Sequence, residues 1–191
     1  VNRQMEVSLL LLSPMLAALI VALPILIPLL FSSQFLPVVE MAQVATLAMY
    51  LKVMTLPVAY ITLARGYSLS YLFLETSYFL AFVLLFIFGY ERWGLYGTGI
   101  AITLAHLFEY LLVNGYAYKK YGYRFSATVS GYAIVQTGIG LLVFLVTLTA
   151  DGLLYWGVGG LLVMLSLGLS LHVLRRKTHL WQALLRRFRK G

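Results

Sequence analysis

The chain has 191 residues, 62% of them hydrophobic and only 10% charged, with a net charge of +8 and a mean hydropathy of +0.92. A soluble domain averages about 25% charged and 45–50% apolar residues, so these values exclude an ordinary soluble domain and describe a chain whose solvent is largely lipid. Cysteine is absent, which excludes a disulfide framework or thiolate metal site. The basic residues sit at the ends of apolar runs, as in membrane proteins, and not in the continuous basic surface of a nucleic-acid binder.

Val1 is not methionine, and no signal-peptide pattern follows it. Val1 is therefore expected to be an internal start and the sequence a piece of a longer chain. Six apolar runs, at 8–31, 39–64, 69–89, 95–118, 132–150 and 153–174, are long enough to cross a hydrocarbon core that needs about 20 helical residues. The links between them are short: "SSQFLP", "RGYS", "YERWG", "KKYGYRFSATVS" and "DG". An open sheet in lipid would leave backbone groups unpaired, and the runs lack the alternation of outer-membrane strands. The expected fold class is an all-α membrane protein with six transmembrane helices.

The first two runs carry Pro14, Pro24, Pro28 and Pro57. Each removes the hydrogen-bond donor of the carbonyl four residues earlier, so kinked helices are expected. One set of links and ends holds Arg3, Arg65, Lys119, Lys120, Arg124, Arg175, Arg176, Lys177, Arg186, Arg187, Arg189 and Lys190; the opposite set holds only Arg92. This bias predicts that both ends of the segment face the cytoplasm. The tail "THLWQALLRRFRKG" can place Leu180, Trp181, Leu184, Leu185 and Phe188 on one face beside its cations, the pattern of a surface-lying amphipathic helix.

"GLYGTGIA" (94–101) lies between two spans and lacks the strand that a phosphate loop requires, so its glycines read as a helix start and close packing. Gly138, Gly140, Gly157, Gly159 and Gly160 read the same way. His106, His172 and His179 fall on different elements, and the six carboxylates have no metal-ligand spacing, so no catalytic constellation, metal site or cofactor is expected.

The polar residues inside the runs are more informative. Lys52 falls near the middle of its span, where a charge costs about 2.5–3.5 kcal/mol and marks a pathway or a buried pair. With about 100° per residue, Ala45, Ala48, Thr55 and Ala59 share its face, a small surface suited to close packing or a water-filled cavity. Pro57 leaves the Val53 carbonyl without its helical donor beside it. In the third run Ser68, Tyr71, Glu75, Tyr78, Phe79 and Phe82 form an aromatic stripe around one carboxylate. In the fourth, Gly99, Thr103, His106, Glu109, Tyr110 and Ala117 form a polar stripe. Lys52 is thus either a counter-charge lining a cavity, with Thr55, Tyr71 and Tyr78, or half of a salt bridge. Glu75, His106 and Glu109 are candidates for ion coupling, with a packing role the alternative for His106.

"VNRQMEVSLLLLSPMLAALIVALPILIPLLFSSQFLPVVEM", "LKVMTLPVAYITLARG" and "YERWGLYGTGIAITLAHLFEYLLV" resemble the ninth, tenth and twelfth spans of bacterial oligosaccharide and polysaccharide flippases. These are related to O-antigen translocases within the multidrug/oligosaccharidyl-lipid/polysaccharide superfamily. The resemblance rests on an "N-x-Q-x-E-V" opening, on Lys52 with Pro57, on Arg65 with Gly66, and on Gly94, Gly97 and Gly99 of a "GL-x-G-x-GIA" signature. It covers residues 1–125 and implies the second-lobe part of a MATE-like two-lobed transporter, with 126–174 an extra pair of helices and 175–191 a basic cytoplasmic tail. It also implies a flippase, not an enzyme, in the bacterial inner membrane. Its substrate would be a lipid-linked oligosaccharide, carried on undecaprenyl diphosphate and moved to the periplasmic leaflet by alternating access. A peptidoglycan lipid flippase, a multidrug exporter and a non-transporting scaffold for a polysaccharide polymerase are the alternatives. Besides the substrate, the phospholipid bilayer is the expected partner, and nucleic acid is not.

Overall fold

The computed structural model describes residues 1–177 and is helical throughout, with no strand among the described residues. The expected surface helix of the tail lies outside them, apart from the end of the preceding helix. The elements are α1 (Asn2–Leu30), a short 3-10 turn (Ser33–Phe35), α2 (Val38–Ala64), α3 (Ser68–Tyr121), α4 (Ala127–Thr149) and α5 (Gly152–Lys177). All five α-helices are long and apolar enough to cross a membrane.

The boundaries of α2 agree closely with the hydropathy pattern. Several other ends lie further out, because polar residues at a span's ends remain helical: α1 begins in the polar "NRQMEV" opening, and α4 begins at Ala127, not at 132. Ser126 explains the second case, since its side chain accepts the Val129 N–H at 3.2 Å and caps the helix there.

The third and fourth runs form a single 54-residue element, and "YERWG" is helical through Trp93 instead of an open loop. A straight helix of that length would extend about 81 Å. Yet Tyr67, before its first residue, packs on Tyr121, its last, with ring centroids 6.1 Å apart. The chain reverses at Gly94, whose φ of 59° and ψ of −141° lie outside the range open to ordinary side chains. Two antiparallel halves result, joined without a loop. They touch where Gly97 meets the backbone of Gly89, so closely that a Cβ on Gly97 would overlap the Gly89 carbonyl oxygen.

Packing follows small residues, as expected where lipid supplies no drive to bury apolar surface. α2 is the central element, lying along both α1 and α3. Gly99 brings α3 against Met41 and Val44 of α2, and a Cβ there would stand 3.0 Å from the Met41 carbonyl oxygen. Gly140 lies under the Tyr50 ring and Gly159 under Val21. Gly138, Gly157 and Gly160 have open space where a Cβ would point. The expectation of close packing at these three is therefore corrected: they face outward or line a groove.

Two apolar cores result. Met5, Leu9, Val53, Met54, Val58, Val113 and Val129 fill one half of the bundle. Ile20, Val21, Tyr50, Ile139, Val143 and Tyr155 fill the other. One of the three prolines in α1, Pro24, has a matched partner. Pro24 deprives the Ile20 carbonyl of its donor, and Gln43 Nε2 of α2 supplies one at 3.1 Å. Tyr155 of α5 donates to the next carbonyl, Val21, at 3.0 Å and accepts from Gln43 at 3.4 Å.

Candidate functional site: a charged cluster between α2 and α3

Lys52 Nζ lies 2.5 Å from Glu109 Oε1, joining α2 to the second half of α3. Glu109 Oε2 in turn accepts from His106 Nδ1 at 3.2 Å, one turn earlier on the same helix. An ionised carboxylate only accepts, so the proton of this bond belongs to the imidazole. Tyr78, on the first half of α3, closes the group: its ring stacks on His106 with centroids 5.5 Å apart and planes 13° apart. Lys52 Nζ stands 4.8 Å from the Tyr78 centroid, a cation–π distance.

The fold at Gly94 makes this cluster possible. It returns the stripe carrying His106 and Glu109 alongside the stripe carrying Tyr78, while Gly99 lets α2 approach closely enough for Lys52 to reach across. Exposure is uneven: the Glu109 side chain is 2% accessible and that of Lys52 26%. The anion is enclosed and doubly satisfied, whereas the cation keeps one side open.

Of the remaining sequence-derived residues, Tyr71 and Glu75 lie beside this centre, hydrogen-bonded to each other, and the others lie apart from it. Thr55 is fully buried and returns its hydroxyl to the Leu51 carbonyl at 2.9 Å, so with Ala48 and Ala59 it forms a packing face and not a cavity wall. Tyr71 stacks on Tyr60 of α2, with centroids 6.3 Å apart. Glu75, half-buried, lies one turn beyond Tyr71 and makes no ion pair among the described residues. Pro57 is buried in α2. Arg65 and Gly66 form the α2–α3 turn, Gly66 at a φ of 78° and the Arg65 guanidinium 4.7 Å from the Tyr121 centroid.

Three amide side chains inside the spans escaped the sequence analysis: Gln43, Asn114 and Gln136. Gln136 Nε2 donates to Ser170 Oγ at 2.9 Å, and Ser166 Oγ donates back to Gln136 Oε1 at 2.6 Å, closing a neutral network between α4 and α5. The signal was a lone amide in an apolar run, weaker than a charge but subject to the same need for a partner.

Comparison of the chain with known protein families, with curated proteins and with solved structures finds no match.

Proposed function

We propose that this chain is part of a membrane transporter that moves an anionic lipid-linked oligosaccharide from the cytoplasmic to the periplasmic leaflet of a bacterial inner membrane. The observation that carries this reading is the one-sided exposure of Lys52. It is held at mid-span by an enclosed carboxylate, yet open beside Tyr78. A carrier diphosphate entering a low-dielectric region needs a cation, and Coulomb attraction there is many times stronger than in water. Glu109 balances Lys52 while no substrate is present, and a diphosphate competes with it. Aromatic faces such as Tyr78 suit the apolar sides of sugar rings. The resemblance of residues 1–125 to oligosaccharide flippases supports the same reading and supplies the substrate class.

In this reading α3 crosses twice, making six crossings with both ends of the segment cytoplasmic. Support comes from Arg3, Arg65, Lys119, Lys120 and Arg124, which gather at one end of the bundle: Asn2 donates to the Arg124 carbonyl, and Lys120 Nζ lies 4.0 Å from the Tyr67 centroid. Cysteines placed singly at Ser33 and Asp151 then label with an impermeant thiol reagent from the periplasmic side, and one at Lys119 labels only after lysis. The reverse pattern rejects the topology. Ion coupling in this reading falls to Glu109 and His106, since a carboxylate freed from Lys52 can take up a proton; Glu75 lies beside Tyr78 but makes no ion pair among the described residues.

The ion pair also favours a second, purely structural reading, and one experiment separates the two. Lys52→Ala and Lys52→Arg are made in cells that depend on the full protein for surface polysaccharide, and both membrane abundance and export are measured. A counter-charge role gives normal abundance with export lost in the alanine variant and partly kept in the arginine variant, whose planar head fits less well. A structural role gives depletion of Lys52→Ala, with abundance and export both restored by adding Glu109→Ala. Full export by a normally abundant Lys52→Ala protein overturns the transport reading.

A further inference from the structure

Two cavities meet at the end of the bundle where α3 passes into α4. The larger, of about 560 Å³, is a groove along α4 from Val129 to Leu141, walled on the other side by Met54, Tyr110 and Phe125. Its lining is mostly apolar, and the thirteen helical residues, twelve rises of about 1.5 Å, give it a length of about 18 Å. The smaller, of about 350 Å³, is lined by Asn114, Tyr118, Tyr123, Arg124 and Phe125. Phe125 belongs to both, stacked on Tyr110 and set edge-on to Tyr123. The apolar groove and the chamber holding Arg124 thus share Phe125 as a common wall.

The chamber is firmly built. Tyr123 OH donates to Asn2 Oδ1 at 2.6 Å, and Asn2 Nδ2 donates to the Arg124 carbonyl at 3.5 Å, tying the link between α3 and α4 to the start of α1. Burial first, and Tyr110 beside it, raise the Tyr123 phenol above its usual range, so it stays a neutral donor. Arg124 Nη2 donates to Tyr118 OH at 3.0 Å, which uses one of five N–H donors. Among the described residues Arg124 forms no ion pair. Asn114 uses its Nδ2 on the Tyr110 carbonyl at 2.7 Å, and its buried Oδ1 has no hydrogen-bond partner. A buried acceptor without a donor costs about 1–3 kcal/mol, so this atom calls for a ligand that donates.

We propose that the two cavities form one binding site for a glycerophospholipid of the bilayer, with its phosphodiester at Arg124, a donor-bearing head group at Asn114 Oδ1 and one acyl chain along α4. Charge complementarity selects the phosphodiester. The unpaired amide oxygen selects heads such as glycerol or ethanolamine, which carry O–H or N–H, over choline, which carries neither. The groove receives the chain and Ser130 lines its head-group end. This site is separate from the Lys52 cluster and does not depend on the transport reading.

The test uses purified, delipidated protein mixed with equal amounts of phosphatidylglycerol and phosphatidylcholine of matched chains, with bound lipid counted by native mass spectrometry. Wild type is expected to retain one phosphatidylglycerol per chain, about fivefold or more over phosphatidylcholine, the scale of one hydrogen bond. Arg124→Ala reduces retention of both lipids by at least about fivefold, as loss of a charge-assisted bond requires. Asn114→Leu leaves retention but abolishes the preference between heads. Gly138→Phe projects into the open groove, where a Cβ meets nothing within 4 Å, and lowers retention without a clash against protein. Gly157→Phe on α5, equally unobstructed, leaves retention unchanged. Circular dichroism confirms folding of each variant, and Arg124→Gln, which removes the charge but keeps a long side chain, replaces the alanine variant should that fail to fold. Unchanged retention in Arg124→Ala or Arg124→Gln together with Gly138→Phe overturns the proposal. Competition by free glycerol 3-phosphate also overturns it, by identifying a free-phosphate site instead of a lipid site.

Discussion

The bundle holds two polar clusters across helix interfaces, and they solve the same problem differently. Between α4 and α5, Gln136 meets Ser166 and Ser170, all three buried and neutral, in a closed exchange of donors and acceptors. Between α2 and α3, Lys52 and Glu109 carry charge, His106 bonds to the same carboxylate, and Lys52 remains partly accessible. A neutral network suffices to hold two helices together in lipid, where interhelical hydrogen bonds average about 0.6 kcal/mol. Charge adds a desolvation cost that packing alone does not require. The difference sets the neutral α4–α5 network apart from the α2–α3 cluster, to which the proposed function is assigned.

The sharpest way to break this comparison is at Glu109. Replacing it by leucine leaves Lys52 and His106 without their anion, and loss of one partner of a buried pair costs about 3–5 kcal/mol. Glu109→Leu is expected to unfold at clearly lower denaturant in mixed micelles, and adding Lys52→Met recovers most of the loss. A single variant as stable as wild type removes the case for an enclosed charge.

Gln136→Leu should have a smaller effect. Ser166 and Ser170 can turn their hydroxyls back to their own helix carbonyls, so the expected loss is about 1–2 kcal/mol in the same titration. Export should survive it, provided abundance is kept. Failure of export at normal abundance would place function in α4 and α5 as well and erase the distinction drawn above.

The smallest effect is expected at Tyr155→Phe. This variant removes the hydroxyl that donates to Val21 while leaving Gln43 on Ile20. About 0.6 kcal/mol is expected, near the mean for such bonds in membranes. A larger loss would show that the α1 proline region depends on both donors jointly. Adding Gln43→Leu then measures the coupling directly.

How much of this was legible in the sequence differs between the two clusters. Lys52 was visible because a charge in an apolar run stands out in any hydropathy profile. Its partner was not, because Glu75 and Glu109 sit at similar depth and periodicity assigns a face without saying which neighbour that face meets. Gln136 and Gln43 were less conspicuous still, since an amide barely lowers the hydropathy of a run of twenty. The prolines of α1 were legible as sources of unpaired carbonyls, but not the side chains that would satisfy them.

The sequence by itself determined that the chain is helical and suited to lipid, where its long apolar helices lie and on which ends its cations gather. Those properties follow from summed transfer energies and backbone pairing, which depend on local composition. Only the tertiary structure decided that the third and fourth runs are one element folded at Gly94, that Glu109 and not Glu75 meets Lys52, and that Asn114 faces a chamber beside Arg124. Such outcomes depend on helix rotation and on approaches set by Gly89, Gly97 and Gly99. Contacts between residues 57 positions apart are fixed by the shape of the whole bundle.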